Sequence, residues 1–264
     1  MTSSSTTPSC LTLDISGAIA RIDFNRPASL NAINVEMAVA FQAAIQTIAS
    51  TPTLRVVLLR GQGRAFMAGG DLAEMQGDSA ATARKIIVPL HAGLLQMANL
   101  PMPVLASVHG AAAGAGLSIM LAADLAIAAD TAVFNMAYAK IAASPDASGS
   151  WHLPRVVGLR KAMEIALLSD TIDASEALRL SLVNRVVPAD ALEAETEALV
   201  QRLAAGPTGA YGRIKNLMRH SLQRDLHGQL QAEQGAFEAG ATTADFKEGL
   251  AAFLGKRAPV YSGT

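Results

Sequence analysis

Two short segments of this chain have the composition to aim main-chain amides at a developing negative charge. One is Leu58-Leu59-Arg60-Gly61 followed by Ala65-Phe66-Met67-Ala68-Gly69-Gly70-Asp71-Leu72. The other is Pro103-Val104-Leu105-Ala106-Ser107-Val108-His109-Gly110 followed by Ala111-Ala112-Ala113-Gly114-Ala115-Gly116-Leu117. Each is an apolar strand ending in small residues, and the second leads straight into a helix. Small residues let a ligand approach the backbone, and a helix N-terminus adds the positive end of its dipole. Two such turns side by side could direct two N–H groups at one oxygen. On the residues alone a second reading stays open, in which the glycines serve tight packing only.

Other chemistries are excluded by what is missing. The chain has no G-x-x-x-x-G-K-[ST], G-x-S-x-G, H-E-x-x-H or C-x-x-C. Gly114-Ala115-Gly116-Leu117-Ser118-Ile119 begins as a dinucleotide fingerprint but has Ile119 where the third glycine belongs. Five histidines without ligand spacing argue against zinc. A net charge of -1 argues against a nucleic-acid binder. The single cysteine, Cys10, cannot form an internal disulfide and fits a reducing, cytoplasmic setting.

The elements that must position these turns follow from periodicity. Hydrophobic residues are 51% and charged residues 16%, enough for a large core without metal or disulfide support. Met1 to Cys10 reads as a disordered tail rather than a signal peptide. Leu11 to Phe24 reads as a hairpin turning near Gly17, Val35–Ala49 as an amphipathic helix, and Val56–Leu59 as a strand covered on both faces. Ala80–Ala98 is expected to be helical, with Pro89 kinking or splitting it. Val104 to Ala123 carries no formal charge over 20 residues. Its glycines, His109 and serines make it a strand, a turn and a helix rather than a membrane span. Leu125–Ala128 reads as a further strand. After Lys161 helices dominate, with one strand over Val183–Val187. The order argues for an α/β core followed by a helical C-terminal part.

Several segments together resemble the crotonase (enoyl-CoA hydratase/isomerase) superfamily. They are Asn25-Arg26-Pro27 with Asn31-Ala32, Ala65 to Leu72, Pro103 to Leu117, Ala123 to Ile127, Val157-Gly158, Ala177 with Leu182-Val183, and Gly249 to Pro259. The resemblance runs from about Leu11 to Tyr261. It implies an α/β spiral of ββα units over residues 11–200 and a helical trimerising region over 201–264, in a homotrimer or a hexamer of two trimers. It implies a soluble acyl-CoA enzyme with no permanent cofactor and a coenzyme A thioester as substrate. An oxyanion hole would form from the amides of Gly70 and Ala115. Arg26, Ala28, Ala65, Ala68 and Leu72 would line the coenzyme A site, and Lys256 would meet one of its phosphates.

The resemblance also frames which reaction is possible. A hydratase of this superfamily holds water between two glutamates, and the matching positions here are Ser118 and Tyr138. Neither can replace a carboxylate as base or acid near neutral pH. What remains is Asp146, at a point where some relatives keep a catalytic aspartate. By the pattern of 4-chlorobenzoyl-CoA dehalogenase, His91 would activate water and Tyr138 would orient the aspartate. Asp146 is thus expected as acid/base or nucleophile in an isomerase-like or hydrolase-like enzyme. The alternative is a crotonase fold that binds acyl-CoA without turning it over. RNA binding, known in some relatives, is disfavoured by the absence of a Lys-rich helix.

Overall fold

The computed structural model describes residues 9–263. Most of the expected tail, residues 1–8, lies outside the described residues, while Cys10 is buried and its carbonyl accepts from Asn25 N at 2.8 Å. Strands β1 (Leu11–Ser16) and β2 (Ile19–Phe24) form the antiparallel hairpin around Gly17. Helix α1 (Val35–Ala49) follows, its first turn closed by the Asn34 side chain accepting from Met37 N at 2.9 Å.

From here the chain repeats one manoeuvre: a strand, a short extended piece in a second layer, then a helix. Strand β3 (Val56–Gly61) is followed by Met67 and by α2 (Ser79–Ala98). Strand β4 (Val104–Val108) is followed by β5 (Ala111–Ala113) and α3 (Ala115–Ala122). Strand β6 (Leu125–Ala129) is followed by β7 (Val133–Asn135) and α4 (Gly149–Val157). Then come α5 (Leu159–Leu168), β8 (Ile172–Asp173), α6 (Ala174–Arg179) and β9 (Arg185–Val187). The first strands of each turn assemble a six-stranded sheet in the order β1-β2-β3-β4-β6-β9, parallel after the hairpin. The second-layer pieces pair in their own ladder: Ile33 with Gly70, Met67 with Ala112, β5 with β7, and β7 with β8. This is a spiral of ββα turns in an α/β fold.

The sheet is covered on both faces, which explains its continuous apolar runs. Val57 and Leu59 belong to the core shared with α1 and α2, where Met37, Phe41, Ile45 and Leu90 are buried. Val56, Leu58, Leu105 and Ile127 point the other way, into a second cluster with Val200 and Leu203 of α7 (Leu192–Ala204). Helices α8 (Thr208–His220), α9 (Leu226–Ala241) and α10 (Ala244–Leu254) complete the chain.

Three expectations need adjustment. Pro89 does not split α2, which continues through it for 20 residues. The carbonyl that loses its donor belongs to exposed Lys85, where water can satisfy it. The strand expected over Val183–Val187 is confined to Arg185–Val187, because Leu182 and Val183 are spent on core packing. The second-layer strands β5, β7 and β8, of two or three residues, are too short to show a period of two in the sequence. No described helix is long and apolar enough to cross a membrane.

Two polar residues hold the connections. Asn31, fully buried and at φ 58, donates to the carbonyls of Gln62 (2.9 Å), Ala65 (2.8 Å) and Phe66 (3.2 Å). Its own carbonyl accepts from Arg26 N at 2.8 Å, so one side chain ties the loop after β2 to the loop after β3. Asp124 accepts from Val104 N at 2.8 Å and pairs with Lys215 (2.7 Å) and Arg219 (2.8 Å), fastening α8 to the sheet. His152 of α4 lies beside this cluster. Burial, then the positive charges of Arg219 and Arg155, bring its pKa down to about 4.

Two outcomes follow. Asn31→Gly keeps the left-handed backbone but strands buried carbonyls, and should cost about 3 kcal/mol in denaturant unfolding. His152 is neutral when folded and takes a proton near its ordinary value when unfolded, so its contribution is complete above about pH 6.5. As pH falls toward 4 the unfolded state alone binds the proton, and about 3 kcal/mol is lost. His152→Gln should flatten that part of the stability–pH curve, and an unchanged slope would remove His152 as its source.

Candidate active site

The two glycine-rich turns are in main-chain contact. Gly69 has φ 109, and a Cβ built on it would lie 3.2 Å from Ala113 O and 3.8 Å from Ala115 N. A side chain there would both strain the backbone and push the turns apart. Gly70 bridges Ile33 in parallel, but the hydrogen bonds run through its neighbours: Ile33 N to Gly69 O at 2.7 Å and Asp71 N to Ile33 O at 2.8 Å. That pattern leaves the N–H of Gly70 on the side away from Ile33. Ala115 is the first residue of α3, where an amide has no partner within its own helix. Among the described residues, neither amide has an internal acceptor, whereas Gly114 N donates to Asn135 O at 2.9 Å and Ser118 N to Gly114 O at 3.0 Å.

The residues expected along coenzyme A sit on the loops that Asn31 ties together. Ala65 is buried, Ala68 is half-buried with its amide on Leu30 O at 3.0 Å, and Leu72 and Ala28 are exposed. Arg26 is held by Asp71 at 2.8 Å and by the carbonyl of Ala32 at 2.5 Å, so its guanidinium braces the two loops against each other. The Asp71 carboxylate is held below its usual range by Arg26 and by the amides of Glu74 and Ala73, which outweigh the opposing effect of burial. Lys256 is exposed beyond α10, and its amide donates to Phe253 O at 3.2 Å.

The second group of expected residues meets at the N-terminus of α4. Tyr138 Oη donates to Asp146 Oδ1 at 2.5 Å. Burial first, and then the Asp146 carboxylate, drive the phenol pKa well above its ordinary value. Tyr138 therefore stays protonated and acts only as a donor to Asp146. Ser118 Oγ, fully buried on α3, lies 3.0 Å from Tyr138 Oη. Because the tyrosine proton is committed to Asp146, the serine is the donor in that pair. Ser118 and Tyr138, the two positions that the resemblance matches to hydratase glutamates, thus face each other and are joined directly.

His91 reaches the same loop from α2. Its Nε2 accepts from Ala147 N at 3.2 Å, which places the ring proton on Nδ1. The loop it holds is costly: Ala147 and Ser148 are consecutive non-glycine residues at φ 47 and φ 66. Behind them a Cβ on Gly149 would overlap Ser118 Oγ and Met136 Cε, so α4 can start here only with glycine. The structure therefore brings Asp146, His91 and Tyr138 together, as the sequence suggested. Sequence reasoning missed Ser118 as a partner of Tyr138 and the Ala147 amide as a partner of His91. The available signal for the first was its spacing, three residues beyond Ala115 on one helix. Trp151 stacks under Arg155, whose guanidinium carbon is 3.3 Å from the ring centroid. His109 bonds Gly63 O at 2.8 Å and Asp130 accepts from Ala189 N at 3.1 Å, both structural contacts.

Known proteins resemble this chain over nearly its whole length. The family model Enoyl-CoA hydratase/isomerase matches residues 14–264. A protein of Rhodobacter capsulatus named "Probable enoyl-CoA hydratase" is 40% identical over 95% of this chain and 96% of its own. The 1,2-epoxyphenylacetyl-CoA isomerase of Escherichia coli is 35% identical over 92% of this chain and 94% of its own. A crystal structure of a candidate enoyl-CoA hydratase from Thermobifida fusca YX in complex with acetoacetyl-CoA superposes with a TM-score of 0.81 at 33% identity, covering 88% of this chain and 94% of that one. With nearly its whole length matched in sequence and in fold, this chain belongs to the enoyl-CoA hydratase/isomerase family of the crotonase superfamily and is an enzyme of that family.

Proposed function

We propose that this chain is an acyl-CoA isomerase that works through a thioester enolate, with Asp146 carrying the proton. The observation that carries the reading is the Tyr138–Asp146 hydrogen bond, with Ser118 packed behind it. One carboxylate is present where a hydratase needs two, and the glutamate positions are closed onto each other at 3.0 Å, leaving no gap for a water between them. The name of the Escherichia coli relative, a CoA-thioester isomerase, and the acetoacetyl-CoA bound by the Thermobifida fusca protein support a coenzyme A thioester as substrate.

In this reading the thioester oxygen accepts from the amides of Gly70 and Ala115. The Asp146 carboxylate removes a proton from the carbon next to the thioester, and the freed electron pair moves onto the carbonyl oxygen as an enolate. The protonated Asp146 then returns the proton to another carbon of the conjugated system, so no atom is gained or lost. The amides stabilise the charge only as it develops, which lowers the barrier rather than the ground state. Arg26, Ala28, Ala65, Ala68 and Leu72 border the coenzyme A path. Lys256, exposed beyond α10, would reach a phosphate from a neighbouring subunit. Exposed Phe237, Leu250, Phe253 and Leu254 on α9 and α10 support assembly through these helices, as a trimer or a pair of trimers.

A hydrolytic, dehalogenase-like route needs a histidine lone pair to activate water. Nε2 of His91 already accepts from Ala147, which favours His91 as a holder of the Asp146 loop. A 3-enoyl-CoA of six to ten carbons, followed to its 2-enoyl isomer, tests the proposal. Asp146→Asn should lower kcat at least about a thousandfold while CoA binding persists. Ala115→Pro removes one amide at a position where a helix accepts proline, and should cost about a hundredfold to a thousandfold in kcat with unchanged circular dichroism. Single turnover in heavy-oxygen water should leave Asp146 unlabelled. Full isomerase activity in the Asp146→Asn protein would end the isomerase reading; label in Asp146 would move it to the hydrolytic route; intact binding with no turnover of any acyl-CoA would leave a binding protein.

A further inference from the structure

We infer that Ser118 is a positioning residue: its hydroxyl locks the Tyr138 hydroxyl toward Asp146 and so ties the acid–base carboxylate to the helix that carries the Ala115 amide. The inference rests on the proposed role of Asp146 and extends it to a residue that touches neither substrate nor the reacting atoms.

Geometry and hydrogen inventory carry it. Tyr138 Oη has one proton and three oxygen neighbours, Asp146 Oδ1 at 2.5 Å, Ser118 Oγ at 3.0 Å and the Asp146 carbonyl at 3.4 Å, and the shortest of these takes the proton. Ser118 has one proton and two acceptors, Tyr138 Oη and Gly114 O at 3.2 Å. If Ser118 turned its proton to Gly114, it would present a lone pair to Tyr138 and compete with Asp146 for the phenol proton. With its proton on Tyr138, the only arrangement is a directed chain, Ser118 to Tyr138 to Asp146. Donation from Ser118 also makes the phenol a better donor to the carboxylate. The serine cannot rotate away freely, because it is fully buried and Gly149 and Met136 close over it. It lies on the same short helix as Ala115, three residues on, so the chain fixes the carboxylate relative to the candidate oxyanion amide. A residue that only filled space at position 118 would need no hydroxyl.

The test is a double-mutant cycle on the same 3-enoyl-CoA isomerisation. Ser118→Ala should lower kcat about tenfold with KM within about twofold, and move the acid limb of the kcat profile to higher pH. Tyr138→Phe should lower kcat at least as much. In the Tyr138→Phe background, Ser118→Ala should add less than about a twofold loss, because the serine acts through the tyrosine. A purely structural serine would instead give multiplicative losses or a raised KM, and either result overturns the inference. A second readout needs no substrate. Proton NMR of the full chain should show a downfield hydroxyl resonance that is absent in Tyr138→Phe and in Asp146→Asn and shifted upfield in Ser118→Ala. An unmoved resonance in Ser118→Ala, or none that depends on Tyr138, overturns it as well. Wild-type turnover by Asp146→Asn would refute the isomerase reading instead, while the resonance would still report on Ser118.

Discussion

Main-chain contact between two turns of the spiral is the constraint on which the rest depends. Neighbouring parallel strands lie about 4.8 Å apart, so whatever follows β3 and β4 must pass at nearly the same spacing. The pairing of Met67 with Ala112 carries that spacing into the second layer, and Gly69 against Ala113 and Ala115 is its consequence. Glycine is needed at positions 69 and 116, where a Cβ would lie 3.2 Å from Ala113 O and 2.2 Å from Met67 O. The same closeness leaves the amides of Gly70 and Ala115 without internal acceptors, one because its neighbours take the bridge bonds and the other because it begins a helix. A fold that packs by backbone approach thus leaves donors at the seam.

The loop that carries Asp146, the proposed acid–base group, is built with a different device, local strain offset by buried bonds. Ala147 and Ser148 in the left-handed region cost about 1–2 kcal/mol each. Against this stand the His91–Ala147 bond, the Gly149 N to Asp146 O bond at 2.9 Å and the Tyr138–Asp146 bond. Helix α3 joins the two devices, since Ala115 opens it and Ser118 sits one turn further along. The proposed oxyanion amide and the hydroxyl that meets Tyr138 therefore sit on one short helix.

Much of this was legible in the residues. The helix Val35–Ala49 and the strand at Val56 declare themselves through hydrophobic patterning, and the paired small-residue turns mark the seam. Resemblance to a family placed Asp146, His91 and Tyr138 in one site, which no spacing rule would have done for residues on three separate elements. What stayed hidden depends on tertiary neighbours. Nothing local says that Asn31 reaches the carbonyls of Gln62, Ala65 and Phe66, or that Lys85 faces solvent and so lets α2 run through Pro89. Ser118 read as a missing glutamate, and only the structure turns that loss into a hydrogen bond.

A single carboxylate has a geometric consequence. Tyr138 is held protonated by burial and by the charge beside it, so it cannot take a proton from a substrate carbon. Ser118 donates inward, and Nε2 of His91 is occupied by Ala147. On the proposed reading Asp146 must then perform both halves of the transfer, and it reaches the enolate from one side only. The proton would leave and return on the same face of the planar intermediate, whereas two opposed carboxylates could work from both. On the same reading, the direct Ser118–Tyr138 contact leaves no room for a water between those positions, and a fixed carboxylate would shuttle a proton along one face of a bound thioester.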